Sequence, residues 1–170
     1  MPEPKPPSLP AVLDFEASGF GAGSYPIEVG FVLPDGRAFC SLIRPLPHWT
    51  RWDASAEAVH GISRATVERY GRSPEVVTEM LDQHLANSRV YSDGWGHDYT
   101  WLHVLYDAVG RQPRFRLENI RSLLSEEAVS RWPSVKAEVA RRTAMQRHRA
   151  SADARLLQLT IQELQRTPTI

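Results

Sequence analysis

Asp14 and Glu16 stand two residues apart in the stretch A-V-L-D-F-E-A-S-G at positions 11–19. A short apolar run closed by a Ser-Gly turn signal reads as a buried strand. Side chains on a strand alternate between its faces, so the two carboxylates project together and Phe15 projects the other way. Paired carboxylates at the end of a buried strand repel each other and lose solvation. A bound hard cation such as Mg²⁺ or Mn²⁺ relieves both costs. A strand end open to water would leave both acids merely solvated, and Asp-x-Glu is a short, common pattern. Further candidates lie downstream. The segment Y-S-D-G-W-G-H-D-Y-T-W-L at 91–102 leaves one strand and enters a helix, with Asp93 ending the strand and Asp98 at the junction. An aspartate there either caps the helix or faces a site. In H-R-A-S-A-D at 148–153, Ser151 is expected to cap the last helix. That puts Asp153 in the first turn and His148 in the loop before it.

The elements needed to hold these residues can be read from the pattern. Ser24–Pro34 is a second strand, Pro34-Asp35-Gly36 a turn, and Arg37–Ile43 a third strand returning antiparallel. Arg44–Ala54 is a loop carrying Trp49 and Trp52, which either stack on bases or pin the loop to the core. A helical turn over Ser55–His60 stops at Gly61, and Ser63 caps a short helix to Tyr70. Ser73-Pro74-Glu75 starts a helix that runs to about Ala86, with Val76, Val77, Met80, Leu81 and Leu85 as its apolar face. Arg89–Ser92 is a fourth strand and Tyr99–Val109 a helix burying Leu102, Leu105 and Tyr106. Phe115 marks a short fifth strand. Helices follow over Leu117–Leu124, Glu126–Thr143 and Ser151–Gln165, with Pro133 expected to break the middle one. This order predicts an α/β domain, a mixed sheet with helices on both faces, over residues 11–167.

The chain totals narrow the function classes. A length of 170 residues, 42% hydrophobic and 24% charged, suits one soluble globular domain. Net charge is +0, which does not suit a protein that coats long nucleic acid. Residues 1–110 nevertheless carry 8 Lys/Arg against 14 Asp/Glu, and residues 111–170 carry 12 against 6. An acidic half able to hold metals beside a basic half able to hold phosphates suits a phosphodiester substrate, although solvated helix charges would give the same counts. The single cysteine, Cys40, excludes an internal disulfide. No run reaches the length of a membrane span, and the proline-rich residues 1–10 read as an extended tail without a signal-peptide core. A cytoplasmic protein with no membrane partner is the expectation.

Asp-x-Glu on the first strand, Asp98 at a strand–helix junction and His148-x₄-Asp153 into the last helix resemble, in that order, the DEDDh family of 3′→5′ exonucleases. The segment Ala58-Val59-His60-Gly61-Ile62-Ser63 is similar to the His-Gly-Ile-Thr/Ser element of many members. The family's second motif often reads His-Asn-x-x-Phe-Asp, whereas here Gly94 and His97 take the asparagine and phenylalanine positions. The resemblance spans Asp14 to Asp153 and implies a ribonuclease-H-like fold with a five-stranded sheet.

It also implies a mechanism of phosphodiester hydrolysis with two Mg²⁺ or Mn²⁺ ions. Asp14, Glu16 and Asp153 would hold one metal, Asp14 would bridge to the second, and Asp98 would support that second one. His148 would be the general base, its ordinary pKa of about 6.5 suiting the task. Backbone amides at Ala17, Ser18 and Gly19, together with His60, would receive the end of the strand, and Arg147, Arg149 or Arg155 would meet upstream phosphates. The implied partner is a single-stranded RNA or DNA 3′ end, and the product a nucleoside 5′-monophosphate. Relatives acting on short RNA are often homodimers, so the resemblance is consistent with a homodimer. Two other readings compete. One is a catalytically silent module of this fold that binds nucleic acid or a protein. The other is a metal-dependent hydrolase of another fold that uses Asp93, His97 and Asp98 as ligands.

Overall fold

The computed structural model describes residues 8–145 and 148–166. Most of the proline-rich tail and Arg147 therefore lie outside the described residues. The sheet has five strands: β1 (Ala11–Ala17), β2 (Pro26–Val32), β3 (Ala38–Leu42), β4 (Arg89–Ser92) and β5 (Arg116–Asn119), in the order β3-β2-β1-β4-β5. The first three strands pair antiparallel, while β4 runs parallel to β1 and β5 parallel to β4. This is the ribonuclease-H-like α/β fold, with β1 at the centre of a mixed sheet.

Alternation along β1 divides the interior into two layers. Leu13, Phe15 and Ala17 enter one core with Val77, Leu81 and Leu85 of α3 (Pro74–Leu85) and Leu102, Leu105 and Tyr106 of α4 (Trp95–Asp107). Val12, on the other face, joins Trp132 of α5 (Glu126–Thr143) and Ala154, Leu157 and Ile161 of α6 (Ala150–Arg166). Asp14 and Glu16 share the parity of Val12 and so belong to the α5/α6 side. The side chain of Asp82 ties the first layer together, accepting from the Tyr106 hydroxyl at 2.8 Å and the Arg114 amide at 3.0 Å and pairing with Arg111 at 2.9 Å.

Two short helices, α1 (Ala54–His60) and α2 (Arg64–Tyr70), precede α3. Gly61 ends α1 at φ 71°, a left-handed conformation that glycine adopts without a Cβ penalty. Ser63 and Ser73 cap α2 and α3 through their hydroxyls, as the sequence implies.

Several local expectations are corrected. Helix α4 begins at Trp95, four residues earlier than Tyr99, with Gly94 as its N-cap, although Gly96 weakens helical propensity inside it. A tertiary contact compensates, the Trp95 indole donating to the Leu117 carbonyl at 3.0 Å, and within the helix its ring lies 5.1 Å from that of Tyr99 one turn on. Residues 117–124 are not one helix. Arg116–Asn119 pairs with β4 along its length, and only Ile120–Leu123 coils, as a 3₁₀ turn capped by Asn119. Pairing at the sheet edge and burial of Leu117 override local preference there. Helix α5 is not broken at Pro133. The forfeited N–H bond is offset by packing of Trp132 and Val135 against the α6 side. Val76 is 45% exposed and lies off the apolar face of α3. Trp49 is buried and stacks on Tyr25 at 5.3 Å, while the Trp52 indole donates to Glu57 at 2.5 Å. Both tryptophans thus pin their loop to the protein, and the base-stacking reading is set aside.

Candidate active site

The C-terminal end of β1 delivers Asp14 and Glu16 to a point that α6 also reaches. Asp14 pairs in register with Gly30 of β2, and Glu16 with Glu28. A Cβ on Gly30 would lie 2.1 Å from the Ser151 amide nitrogen, so only glycine lets the start of α6 rest on the sheet at this place. Glu28, 2% exposed, holds that start: its carboxylate accepts from the Ala150 amide at 2.6 Å and from Arg149 at 2.7 Å. A carboxylate at a helix N-terminus meets both free N–H groups and the favourable end of the dipole. Helix α6 therefore starts at Ala150, with the Asp153 amide bonded to the Arg149 carbonyl, and Ser151 is not its cap. One turn along, Asp153 comes beside the strand pair. One ligand oxygen from each of Asp14, Glu16 and Asp153 lies within 4.8 Å of the others.

Asp98 approaches from α4. It does not cap that helix: it is 3% exposed, and its Oδ1 accepts from the Phe15 amide of β1 at 3.3 Å. It stands beside Asp14 but outside the group of three. The electrostatics of the four acids are unfavourable without a cation. Burial, then the charges of Asp98, Glu16 and Asp153, push the Asp14 carboxyl well above the usual carboxylate range. Burial and the neighbouring Asp153 raise Glu16 to about 8, and burial raises Asp98 to about 7. Asp14 Oδ2 and Asp98 Oδ2 are buried without a hydrogen-bond partner among the described residues. Buried, unpaired carboxylate oxygens facing other carboxylates are a donor set for a hard divalent cation. Among the described residues, the Asp14–Glu16–Asp153 group is the one close enough to hold such an ion with three side chains.

His148 is exposed, sits in the left-handed region at φ 61°, and lines a cavity of about 200 Å³ with Asp14, Asp153, Asp93 and Lys136. Lys136, which the sequence did not single out, salt-bridges Asp93 at 2.7 Å, and its charge partly offsets the upward push on Asp14. Asp93 is thus committed to a lysine. His97 stacks on Trp101 at 5.6 Å instead of joining a ligand group. The reading that made Asp93, His97 and Asp98 a metal triad is not what the structure assembles.

On the other side of Asp14 opens a cleft of about 400 Å³, walled by Phe20, Val59, His97 and Trp101. Phe20 is 62% exposed, its ring edge-on to His97 at 5.2 Å. Ala17, Gly19 and His60 also line this cleft. Ser18 does not: it is fully buried, its amide donates to the Tyr25 carbonyl at 2.9 Å and its hydroxyl accepts from the Tyr25 amide. The hairpin closing β1 to β2 consumes those groups. His60 Nδ1 accepts from the Ile62 amide at 3.0 Å, which places the neutral ring's proton on Nε2, an atom without a partner among the described residues. Burial lowers the His60 pKa and favours that neutral form. Arg149 is bound to Glu28, and Arg155 donates to Gln158 at 2.5 Å, so both have structural partners.

No protein-family model and no curated protein sequence matches the chain. Solved structures do match in fold. Exonuclease I from Methylocaldum szegediense superposes with a TM-score of 0.65 at 16% identity, covering 92% of this chain and 40% of that one. A zinc-bound exonuclease I–ssDNA complex from E. coli gives 0.64 at 11% identity, covering 91% and 39%. A full-length 3′-exonuclease gives 0.69 at 14% identity, covering 94% and 82%. The chain therefore spans about two fifths of the exonuclease I chains and most of the 3′-exonuclease. At these identities the likeness is one of fold, and its structural neighbours are exonucleases. No helix among the described residues is long and apolar enough to cross a membrane.

Proposed function

We propose that the protein is a metal-dependent 3′→5′ exonuclease acting on single-stranded or short nucleic acid and releasing nucleoside 5′-monophosphates. The observation that carries this reading is the convergence of Asp14, Glu16 and Asp153 from a central strand and the last helix, with Asp98 alongside and buried carboxylate oxygens unpartnered. Asp14, Glu16 and Asp153 would hold one Mg²⁺ or Mn²⁺, and Asp14 with Asp98 a second. Such a pair, when bound, supplies a water of lowered pKa and neutralises charge on the phosphoryl and leaving oxygens.

The chain's own groups do the rest. His148, exposed in the loop before α6 and on the same cavity wall as Asp14 and Asp153, takes the proton of the attacking water at a ring nitrogen. The terminal nucleoside occupies the cleft of about 400 Å³, its apolar faces against Phe20, Val59 and Trp101. His60 Nε2–H offers a fixed donor there, beside the backbone at Ala17 and Gly19. The fold of ssDNA-bound exonuclease I and of the 3′-exonuclease supports the class of reaction.

The test is a nuclease assay on 5′-labelled RNA and DNA oligomers with Mg²⁺ or Mn²⁺, beside Asp14→Ala and His148→Ala. A ladder that shortens from the 3′ end, lost with EDTA and in both variants, is the expected result. Absence of cleavage of either polymer and of dinucleotides, with divalent ions demonstrably bound, would leave the silent binding module in its place.

A further inference from the structure

The surroundings of the acid cluster are asymmetric in a way that bears on how a strand lies across it. The aromatic cleft meets the smaller cavity at Asp14 and Gly94, which line both. The smaller cavity continues, across Asp93, Lys136 and Leu156, into a third of about 340 Å³ along α5 that reaches Arg121. The three form one groove with the carboxylates near its middle.

Among the described residues, the cationic side chains of the groove lie in one arm, where Asp93 pairs with one of them. Among the described residues no Lys or Arg lines the aromatic cleft, whereas Lys136 and Arg121 line the opposite arm. Arg121 is exposed and its guanidinium makes no ion pair among the described residues, while its backbone is held by its amide donating to Asn119 at 3.0 Å and its carbonyl accepting from the Leu124 amide at 3.1 Å. A polynucleotide has the complementary asymmetry. Beyond the scissile phosphate the terminal nucleoside carries no further phosphate, while the upstream strand carries one per nucleotide. The arm lacking cations suits the former and the cationic arm the latter.

We infer that the strand upstream of the scissile phosphate lies along the α5 arm, where Arg121 receives a backbone phosphate and the Lys136–Asp93 ion pair borders the path. This site rests on the nuclease reading for its substrate class, but not on cleavage for its test. Contacts to phosphate carry no sequence information, so the arm sets substrate length preference and salt dependence without choosing bases.

The experiment compares wild type, Arg121→Gln and the charge-preserving Arg121→Lys on a dinucleotide and a hexanucleotide across a salt series. One lost charge-assisted contact corresponds to roughly tenfold. The expected result is a hexanucleotide KM raised about tenfold relative to any change on the dinucleotide, restored in Arg121→Lys. The salt slope of hexanucleotide kcat/KM should fall by about 0.7, the value for one phosphate on a single strand. Equal effects on both substrates, or an unchanged salt slope, would overturn the path while leaving the nuclease reading intact. Hexanucleotide binding by fluorescence anisotropy, in an Asp14→Asn background, decides the path even if no cleavage is found. There, weaker binding by Arg121→Gln with a reduced salt slope supports it, and identical curves overturn it.

Discussion

Replacing Glu16 with Gln should make the metal-free protein more stable and the metal-bound one less so. Glu16 titrates at about 8 in the folded chain against an ordinary 4.5, so folding holds its proton more tightly than the unfolded chain does. Stability from this group is therefore complete below about pH 4.5 and is lost as pH rises through about 8. At about 1.36 kcal/mol per unit, the whole shift would correspond to nearly 5 kcal/mol. Glu16 is partly open to water, and screening reduces this to about 2 kcal/mol. Glutamine keeps the shape and removes the charge. Urea denaturation in EDTA should then show Glu16→Gln about 2 kcal/mol more stable than wild type at pH 8 and equal to it at pH 4.5. In thermal unfolding that is roughly 4–8 °C for a chain of this size. Adding Mg²⁺ or Mn²⁺ to a hundred times its dissociation constant should stabilise wild type by about 2.7 kcal/mol and the variant far less. A gain that is the same at pH 4.5 and pH 8, or a loss at pH 8, would refute the view that charge repulsion at this cluster is what a cation relieves.

Two further predictions concern the seating of α6. Glu28→Ala removes the acceptor for the Ala150 amide and the partner of Arg149. With Arg149 partly exposed, the cost should be about 3 kcal/mol in urea denaturation, the lower end for breaking a buried pair. Because the same turn carries Asp153, calorimetric titration should show weaker divalent-ion binding. Gly30→Ala drives a Cβ into the Ser151 backbone, which has no side-chain freedom to yield, and α6 must shift outward. A loss of about 1–3 kcal/mol is expected. Metal binding should weaken with it, and unchanged affinity would show that Asp153 does not depend on this close approach.

Much of the architecture was legible because it rests on local chemistry. The alternation in A-V-L-D-F-E-A fixes a strand and the shared face of its two acids, and the serines at 63 and 73 cap the helices they precede. Glycine and proline punctuation places the β2–β3 turn, where Gly36 takes a φ of 86°. The same reasoning failed where distant partners outweigh propensity. Trp95 anchors an early start to α4, Leu117 is drawn into an edge strand, and Pro133 is carried inside a helix.

The functional site divides along the same line. Asp14 and Glu16 could be nominated from their shared strand face, while Asp98, His148 and Asp153 were nominated by the resemblance of their order to the DEDDh exonucleases. Sequence could not show that Gly30 and Glu28 dock α6, since their importance arises from register with Asp14 and Glu16 on the neighbouring strand. Nor could it reveal that Ser18 is spent on the hairpin, that Asp93 belongs to Lys136, or that among the described residues Lys136 and Arg121 line the same arm of the groove. Those facts depend on which surfaces meet when the two layers close on the sheet. Side-chain identity set what chemistry was available. Packing decided which groups lost water together, and that loss of water is what turns four acids into a candidate metal site.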